Sequence, residues 1–367
     1  MDVTVIDTPQ LGDRSYLVHD GEVALVIDAE RDIDRVEAAV ERADVRVTHV
    51  AETHIHNDYV TGGCVHARKH GAACLVNAAD DVSFERTPIA DGDTVRVGEL
   101  SVKAVATPGH THHHLSFAVE HGDEQAVFSG GSVLSGPVGR TDLLGREHMG
   151  PANAAGPTEP DLSLPDPLDP EELRSRLEAG EWVVDLRNRV ACSSTHLTET
   201  ISFEYGDGSS FTTFLGWNFP YDRQLTLVGS REDVENSIRD LSRIGIDSPD
   251  AALGEDLRQL APGAAVSSYP RVDWKGMLAE RAEDETVLDV RRVDEYEEPH
   301  LPGAVDIPLH ELLTRMDEVP ADRLWVHCGS GYRSGVAASL LERAGRDAVH
   351  VDALFYEAEQ DGVPLES

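Results

Sequence analysis

Short β-branched apolar runs alternate with helix-spaced ones along the first 148 residues. Ala24–Ile27, Val45–Val50, Thr94–Val97, Leu100–Val105 and Ala126–Phe128 read as strands. Asp32–Ala43 carries apolar residues at helical spacing, and Gly63–His70 reads as a second helix. Gly-Asp, Asp-Gly and Pro-Gly pairs separate them as turns, so the pattern is mixed α/β. Between Pro151 and Pro170 six prolines fall among Ala, Gly, Asp and Glu with little apolar periodicity, which predicts an extended linker without a core. Beyond it the pattern repeats. Glu181-Trp182-Val183-Val184-Asp185-Leu186-Arg187 parallels Glu285-Thr286-Val287-Leu288-Asp289-Val290-Arg291, and Leu225–Val228 parallels Leu324–Val326. Each of the later strands runs into a glycine-containing turn and a helix. A period of about 100 residues predicts a tandem duplication of small α/β domains.

Composition narrows the partners. The 367 residues fit two to four domains at ~100–200 residues each. Asp and Glu number 68 against 31 Lys and Arg, a net charge of −37 spread along the chain. Such a charge repels nucleic acid and anionic membrane alike. With few aromatics and few lysines, it also resembles the hydrated acidic surface of halophilic proteins. No apolar run approaches the ~20 residues that span a bilayer, and MDVTVIDTPQ lacks the basic start of a signal peptide. Cys64, Cys74, Cys192 and Cys328 are scattered without a CxxC spacing, so they make no disulfide framework and a reducing cytoplasm is expected.

One of those cysteines stands in a chemical setting. The strand Leu324–His327 runs directly into Cys328-Gly329-Ser330-Gly331-Tyr332-Arg333-Ser334, and the helical stretch Gly335–Ala344 follows. A strand–loop–helix turn collects backbone N–H groups and adds the positive end of a helix dipole. A thiolate or persulfide at Cys328 would be stabilised there and made nucleophilic. Glycines at 329 and 331 let the backbone curl, and Arg333 offers a planar fork to an oxyanion such as a sulfonate. Cys192, Cys64 and Cys74 read as packing residues.

Together with Leu288-Asp289-Val290-Arg291, Glu295-Tyr296, His300-Leu301-Pro302-Gly303-Ala304 and Ile307-Pro308-Leu309, this loop resembles a rhodanese domain over about 265–367. The resemblance implies that Cys328 takes up sulfane sulfur as a persulfide. Arg333 would help hold the donor, and Gly329, Ser330, Gly331, Tyr332 and Ser334 would form the binding loop. Departures are Glu298-Pro299 before His300 and an end, Ala353–Glu357, without the usual glycine pair. Residues 169–262 resemble the same fold without its chemistry: Leu227-Val228-Gly229-Ser230 stands where the nucleophile would be.

A second constellation lies in the first block. Thr53-His54-Ile55-His56-Asn57-Asp58-Tyr59 follows the strand-like run ending at Val50, and Thr107-Pro108-Gly109-His110-Thr111 lies further on. Imidazoles two residues apart with a carboxylate two further on converge on one cation only from a tight loop, and these are ligand types of zinc and non-haem iron. With Ile27-Asp28, Thr61-Gly62, His114-Leu115-Ser116, Phe128-Ser129-Gly130 and Val138–Leu143, they resemble the metallo-β-lactamase fold, closest to persulfide dioxygenases and glyoxalase II-like hydrolases. The family pattern THxHxDH is broken by Tyr59, the aspartate after the third motif by Gly131, and a final histidine is absent apart from His148. The resemblance therefore implies at most one Zn or Fe ion, on His54, His56 and His110 with Asp58 as fourth ligand or orienter, and an empty second position.

The expected architecture is thus an α/β chain: a shortened αββα metallo-β-lactamase-like sandwich (1–148), a proline-rich linker (149–168), a degenerate rhodanese-like domain (169–262) and a rhodanese domain with its cysteine (265–367). The expected activity is sulfane-sulfur transfer through Cys328, with a small-molecule thiol persulfide or thiosulfate as partner. A homo-oligomer is left open. Two other readings stand beside it: a mononuclear-metal thioesterase, and a non-catalytic sulfur-binding sensor.

Overall fold

Strands of the first block are buried on both faces or on one according to their composition. A computed structural model describes residues 1–133, 148–206 and 210–366. They divide into two units, one of residues 1–162 with 239–247 and one of residues 163–238 with 248–367. In the first, a six-stranded sheet runs in the order β1 (Asp2–Thr8), β2 (Asp13–His19), β3 (Val23–Ile27), β4 (Arg46–Ala51), β5 (Ala73–Asn77), β6 (Thr87–Ile89). The pairs β1–β2 and β2–β3 are antiparallel and the rest parallel. The strand β3 is apolar throughout because both of its faces are covered. Leu25 and Ile27 join the core against a second, antiparallel sheet, while Ala24 and Val26 pack with Val36, Ala39 and Val40 of α1 (Asp34–Ala43) and Cys64 and Ala67 of α2 (Gly63–His70).

That second sheet runs β10 (Glu124–Phe128), β9 (Leu115–His121), β8 (Leu100–Ala106), β7 (Thr94–Val97). On it Val105 and Val127 are exposed. The predicted strands and both helices are present with ends shifted by up to two residues, and β1, β2, β5, β6 and β9 join them. The proline-rich stretch departs from its expectation at its start. Its first residues lie in the helix α3 (Met149–Ala155), held because buried Asn153 donates to the carbonyls of His56 and Tyr59 and accepts from Thr61 N–H. The motif Val138–Leu143 lies outside the described residues.

The second unit contains both repeats. Parallel strands Trp182–Asp185 and Leu225–Gly229 lie side by side in one four-stranded sheet, and Thr286–Asp289 and Leu324–His327 lie side by side in a five-stranded one. In each sheet the two matched segments pair with one another in parallel.

Candidate active sites: a cysteine loop and a histidine cluster

The strand Leu324–His327 delivers Cys328 to a loop that ends in the helix Tyr332–Arg343. Gly331 caps that helix at φ 86°, and a Cβ there would stand 2.0 Å from Asp352 Oδ1, so only glycine fits. The loop carbonyls are tied down: Gly329 O accepts from Phe355 N–H, and Gly331 O from Gly335 N–H, His350 Nε2 and the Ser334 hydroxyl. With these carbonyls engaged, the N–H groups at the start of the helix, which have no intrahelical partner, are the kind of donors that suit an anion. Cys328 is buried, with Sγ 3.5 Å from Ser334 Oγ.

Two of the predicted binding residues serve the loop's frame through their side chains. Ser334 is fully buried, and Tyr332 donates to Glu204 O at 2.7 Å and packs on Phe214 of the first repeat. Arg333, expected to meet an oxyanion with its fork, is instead bidentate on Glu295 at 2.6 and 2.8 Å, with Phe214 under its guanidinium. Burial alone would raise the Glu295 pKa, but Arg333 outweighs it and holds the carboxyl below its ordinary range. Arg189 of the first repeat bonds both Glu204 and Asp352, the residue beside Gly331. Phe214, Glu204 and Arg189, all more than 100 residues upstream, thus contribute to the surroundings of the Cys328 loop. Such long-range contributions leave no motif in the sequence. Cys192 is buried in the helix Arg189–Ser194, its thiol pKa pushed up by burial.

In the first unit the strand ends of β3, β4, β8 and β10 carry Asp28, Glu52–Asp58, Thr107–His110 and Gly130–Gly131 respectively. His54, Asp58 and His110 come together, each offering a ligand atom within 4.8 Å of the others. Asp58 Oδ1 lies 4.0 Å from His54 Nε2, and Oδ2 3.8 Å from His110 Nε2. His56 reaches this group by one edge only, Nδ1 being 3.6 Å from Asp58 Oδ1. Its other edge belongs to a separate group with Asp28 and Glu52, Nε2 lying 2.9 Å from Glu52 Oε2. The four expected ligands are therefore not one equal set, and His56 stands at its margin.

The His54 tautomer is set from behind. Asp28, in left-handed backbone at φ 53°, accepts from Thr53 N–H and from the Thr53 hydroxyl. That hydroxyl, having donated, accepts from His54 Nδ1–H at 2.9 Å, which leaves the Nε2 lone pair facing the cluster. Glu52 takes the opposite edge of His56, Nε2, at 2.9 Å; burial would lower the His56 pKa, but Asp28, Asp58 and Glu52 outweigh it and raise it well above its ordinary value. Both His54 Nε2 and His56 Nδ1 are buried and lack a hydrogen-bond partner among the described residues. Burial, with His56 nearby, keeps the His54 pKa well below its usual value and the ring neutral. Burial would also raise Asp58, but the imidazoles of His56, His54 and His110 outweigh it and hold the carboxyl well below its ordinary value. The neutral His54 imidazole beside the ionised Asp58 carboxylate is a donor pair that fits one cation.

Tyr59 replaces a histidine, donates to Asp28 O and sits 3.0 Å from His56 Nε2, and burial pushes its phenol pKa well up. At Gly131 a Cβ would meet the His110 ring at 2.3–2.8 Å. His148 bonds Ile244 O at 3.1 Å. His114, quoted only as part of a motif, is buried with its ring stacked on His54 and its Nδ1 on Thr107 Oγ1.

Comparison with known proteins agrees with both halves. The family model described as the metallo-beta-lactamase superfamily matches residues 12–196, of which 163–196 belong to the second unit. The model described as a rhodanese-like domain matches residues 275–357. The chain is 32% identical over 143 residues to an atrochrysone carboxyl ACP thioesterase of Aspergillus fumigatus, covering 35% of this chain and 32% of that protein. It is 33% identical over 131 residues to a hydroxyacylglutathione hydrolase of Rhodopseudomonas palustris, covering 34% of this chain and 49% of that protein. The chain thus spans half or less of the length of these relatives. A metallo-beta-lactamase from Staphylococcus aureus shares the fold at a TM-score of 0.62 and 21% identity, over 70% of this chain and 99% of that one.

Proposed function

The chain belongs to the metallo-beta-lactamase superfamily and carries a rhodanese-like domain, and from that premise we propose that it handles sulfane sulfur through Cys328. The observation that carries the reading is the loop itself: a cysteine at a strand end, carbonyls bonded away, and a twelve-residue helix starting at Tyr332. The Cys328 thiolate attacks the outer sulfur of thiosulfate or of a thiol persulfide. The S–S bond of the donor breaks, and sulfite or the thiolate leaves with the electron pair. The resulting persulfide anion lies against the loop N–H groups and the helix dipole. A thiolate acceptor then attacks the terminal sulfur, carrying it off as its own persulfide and returning the Cys328 thiolate. Arg333, neutralised by Glu295, positions the loop rather than gripping the donor's oxyanion.

The first unit takes the same class of ligand in this reading. His54, His110 and Asp58, with His56 at the margin, would hold one zinc or iron ion, and that ion would supply a Lewis-acidic seat for a thiol sulfur. Thr53 holds the His54 lone pair inward. A second reading, thioester hydrolysis at that ion, is favoured by the names of the two relatives matched by this unit.

One paired assay tests both. Cys328→Ser is expected to abolish thiosulfate-to-thiol sulfur transfer while His54→Ala leaves it intact. Transfer unchanged in Cys328→Ser would sink the sulfur reading, and S-acylglutathione hydrolysis lost in His54→Ala alone would establish the second.

A further inference from the structure

Away from both sites, α1 and α2 bring together a third set of ligating side chains. His66 and His70 are four residues apart on α2, so they share one face of the helix. That face meets Glu37 of α1: His66 Nδ1 lies 2.9 Å and His70 Nε2 2.8 Å from the same oxygen, Glu37 Oε1. The three ligand atoms lie within 4.8 Å of one another.

The two contacts are not equivalent. His70 donates a hydrogen bond to Glu37. The His66 contact lacks hydrogen-bond geometry, and neither ring nitrogen of His66 has a hydrogen-bond partner among the described residues although the residue is fully buried. A buried imidazole with both nitrogens unmet costs free energy, and nothing in the proposed sulfur chemistry uses it. Its Nδ1 nevertheless faces the carboxylate. His70 is partly exposed and Lys69, on Glu37 Oε2 at 3.5 Å, half exposed, so the cluster opens to water at one side.

We infer that Glu37, His66 and His70 form a second zinc site that ties α1 to α2, with a water completing the coordination. Two imidazoles and one carboxylate suit zinc rather than magnesium or calcium, which take oxygen ligands. Binding replaces the strained sharing of one oxygen by two rings with separate bonds to the ion, and Lys69 swings into solvent. This site is independent of the sulfur chemistry and of the cluster at His54.

Zinc stoichiometry of the full chain tests it, using zinc alone as the probe. Expected is one more zinc per chain than Glu37→Gln or His70→Ala retains, with affinity at the lost site falling by more than the roughly 10–100-fold that removal of an outer-shell partner costs. In a His54→Ala/His110→Ala background one zinc should remain and raise the melting temperature, and adding His70→Ala should remove both effects. Should that background fail to fold, the single variants carry the test, because His70 is partly exposed. Equal zinc content in the parent, Glu37→Gln and His70→Ala would overturn the proposal, as would a folded double variant that binds none.

Discussion

Gly131 shows how one missing side chain decides what a site can hold. The family pattern has an aspartate at this position, and it would be natural to restore it. Yet a Cβ at Gly131 would lie 2.3 Å from His110 Cδ2 and 2.7 Å from Nε2, so the ring already occupies the space the carboxylate would enter. Gly131→Asp is therefore expected to displace His110, to lower stability by about 1–3 kcal/mol as overpacking does, and not to raise the iron or zinc retained. Urea unfolding and metal analysis check both; a stable variant that gained metal would show that His110 yields easily. His114 stacks on His54 nearby. The histidines were legible because His54, His56 and Asp58 lie within five residues. That His56 stands apart was not, because Glu52 and Asp28, which claim its Nε2 edge, carry no signal of their own.

At the scale of elements, the segment Arg239–Asp247 belongs to the first unit although it continues the helix Arg231–Ser242 of the first repeat. Its Arg243 is buried and bonds Asp32 Oδ2 at 2.8 Å and Asp240 Oδ1 at 2.6 Å, with Glu30 at 3.4 Å, while its carbonyl accepts from Val60 N–H. Removing one partner of a buried ion pair leaves the other uncompensated, so Arg243→Met should cost about 3 kcal/mol in urea unfolding. A loss below about 1 kcal/mol would mean that Arg35 and Arg239, which also reach Asp32, suffice. The pH dependence has a definite sign. Burial would raise Asp32, but Arg243 and Arg35 outweigh it and depress its pKa. Its contribution is then present above the unfolded value and disappears as pH falls through the folded one. In Arg243→Met the folded value rises, so acid loss of stability should set in at higher pH. Strands such as β3 and Leu324–His327 could be read in advance because β3 is apolar throughout and Leu324, Trp325 and Val326 form an apolar run. The edge strand β1, DVTVIDT, alternates with charges and gave no such run. The pairings Arg333–Glu295 and Arg243–Asp32 span 38 and 211 residues, beyond the reach of any local periodicity.

For the whole molecule the deciding quantity is charge. At −37 over 367 residues, self-repulsion opposes folding across the entire surface, and its range shrinks from ~10 Å at 0.1 M salt to ~3 Å at 1 M. Salt acts in two opposed ways here. It relieves that repulsion, and it weakens exposed pairs such as Arg14–Asp7 and Arg231–Glu235, each worth ~0–1 kcal/mol. Buried pairs such as Arg291–Asp289 are screened less. With 68 acidic groups and only 31 basic ones, most carboxylates have no cation to lose, so relief should prevail. The melting temperature is expected to rise between about 0.1 M and 1 M potassium chloride, chloride being chosen over sulfate to separate screening from the stronger burial that kosmotropes enforce. A flat or falling curve would place the stability in the ion pairs, and the acidic surface would then serve solubility alone.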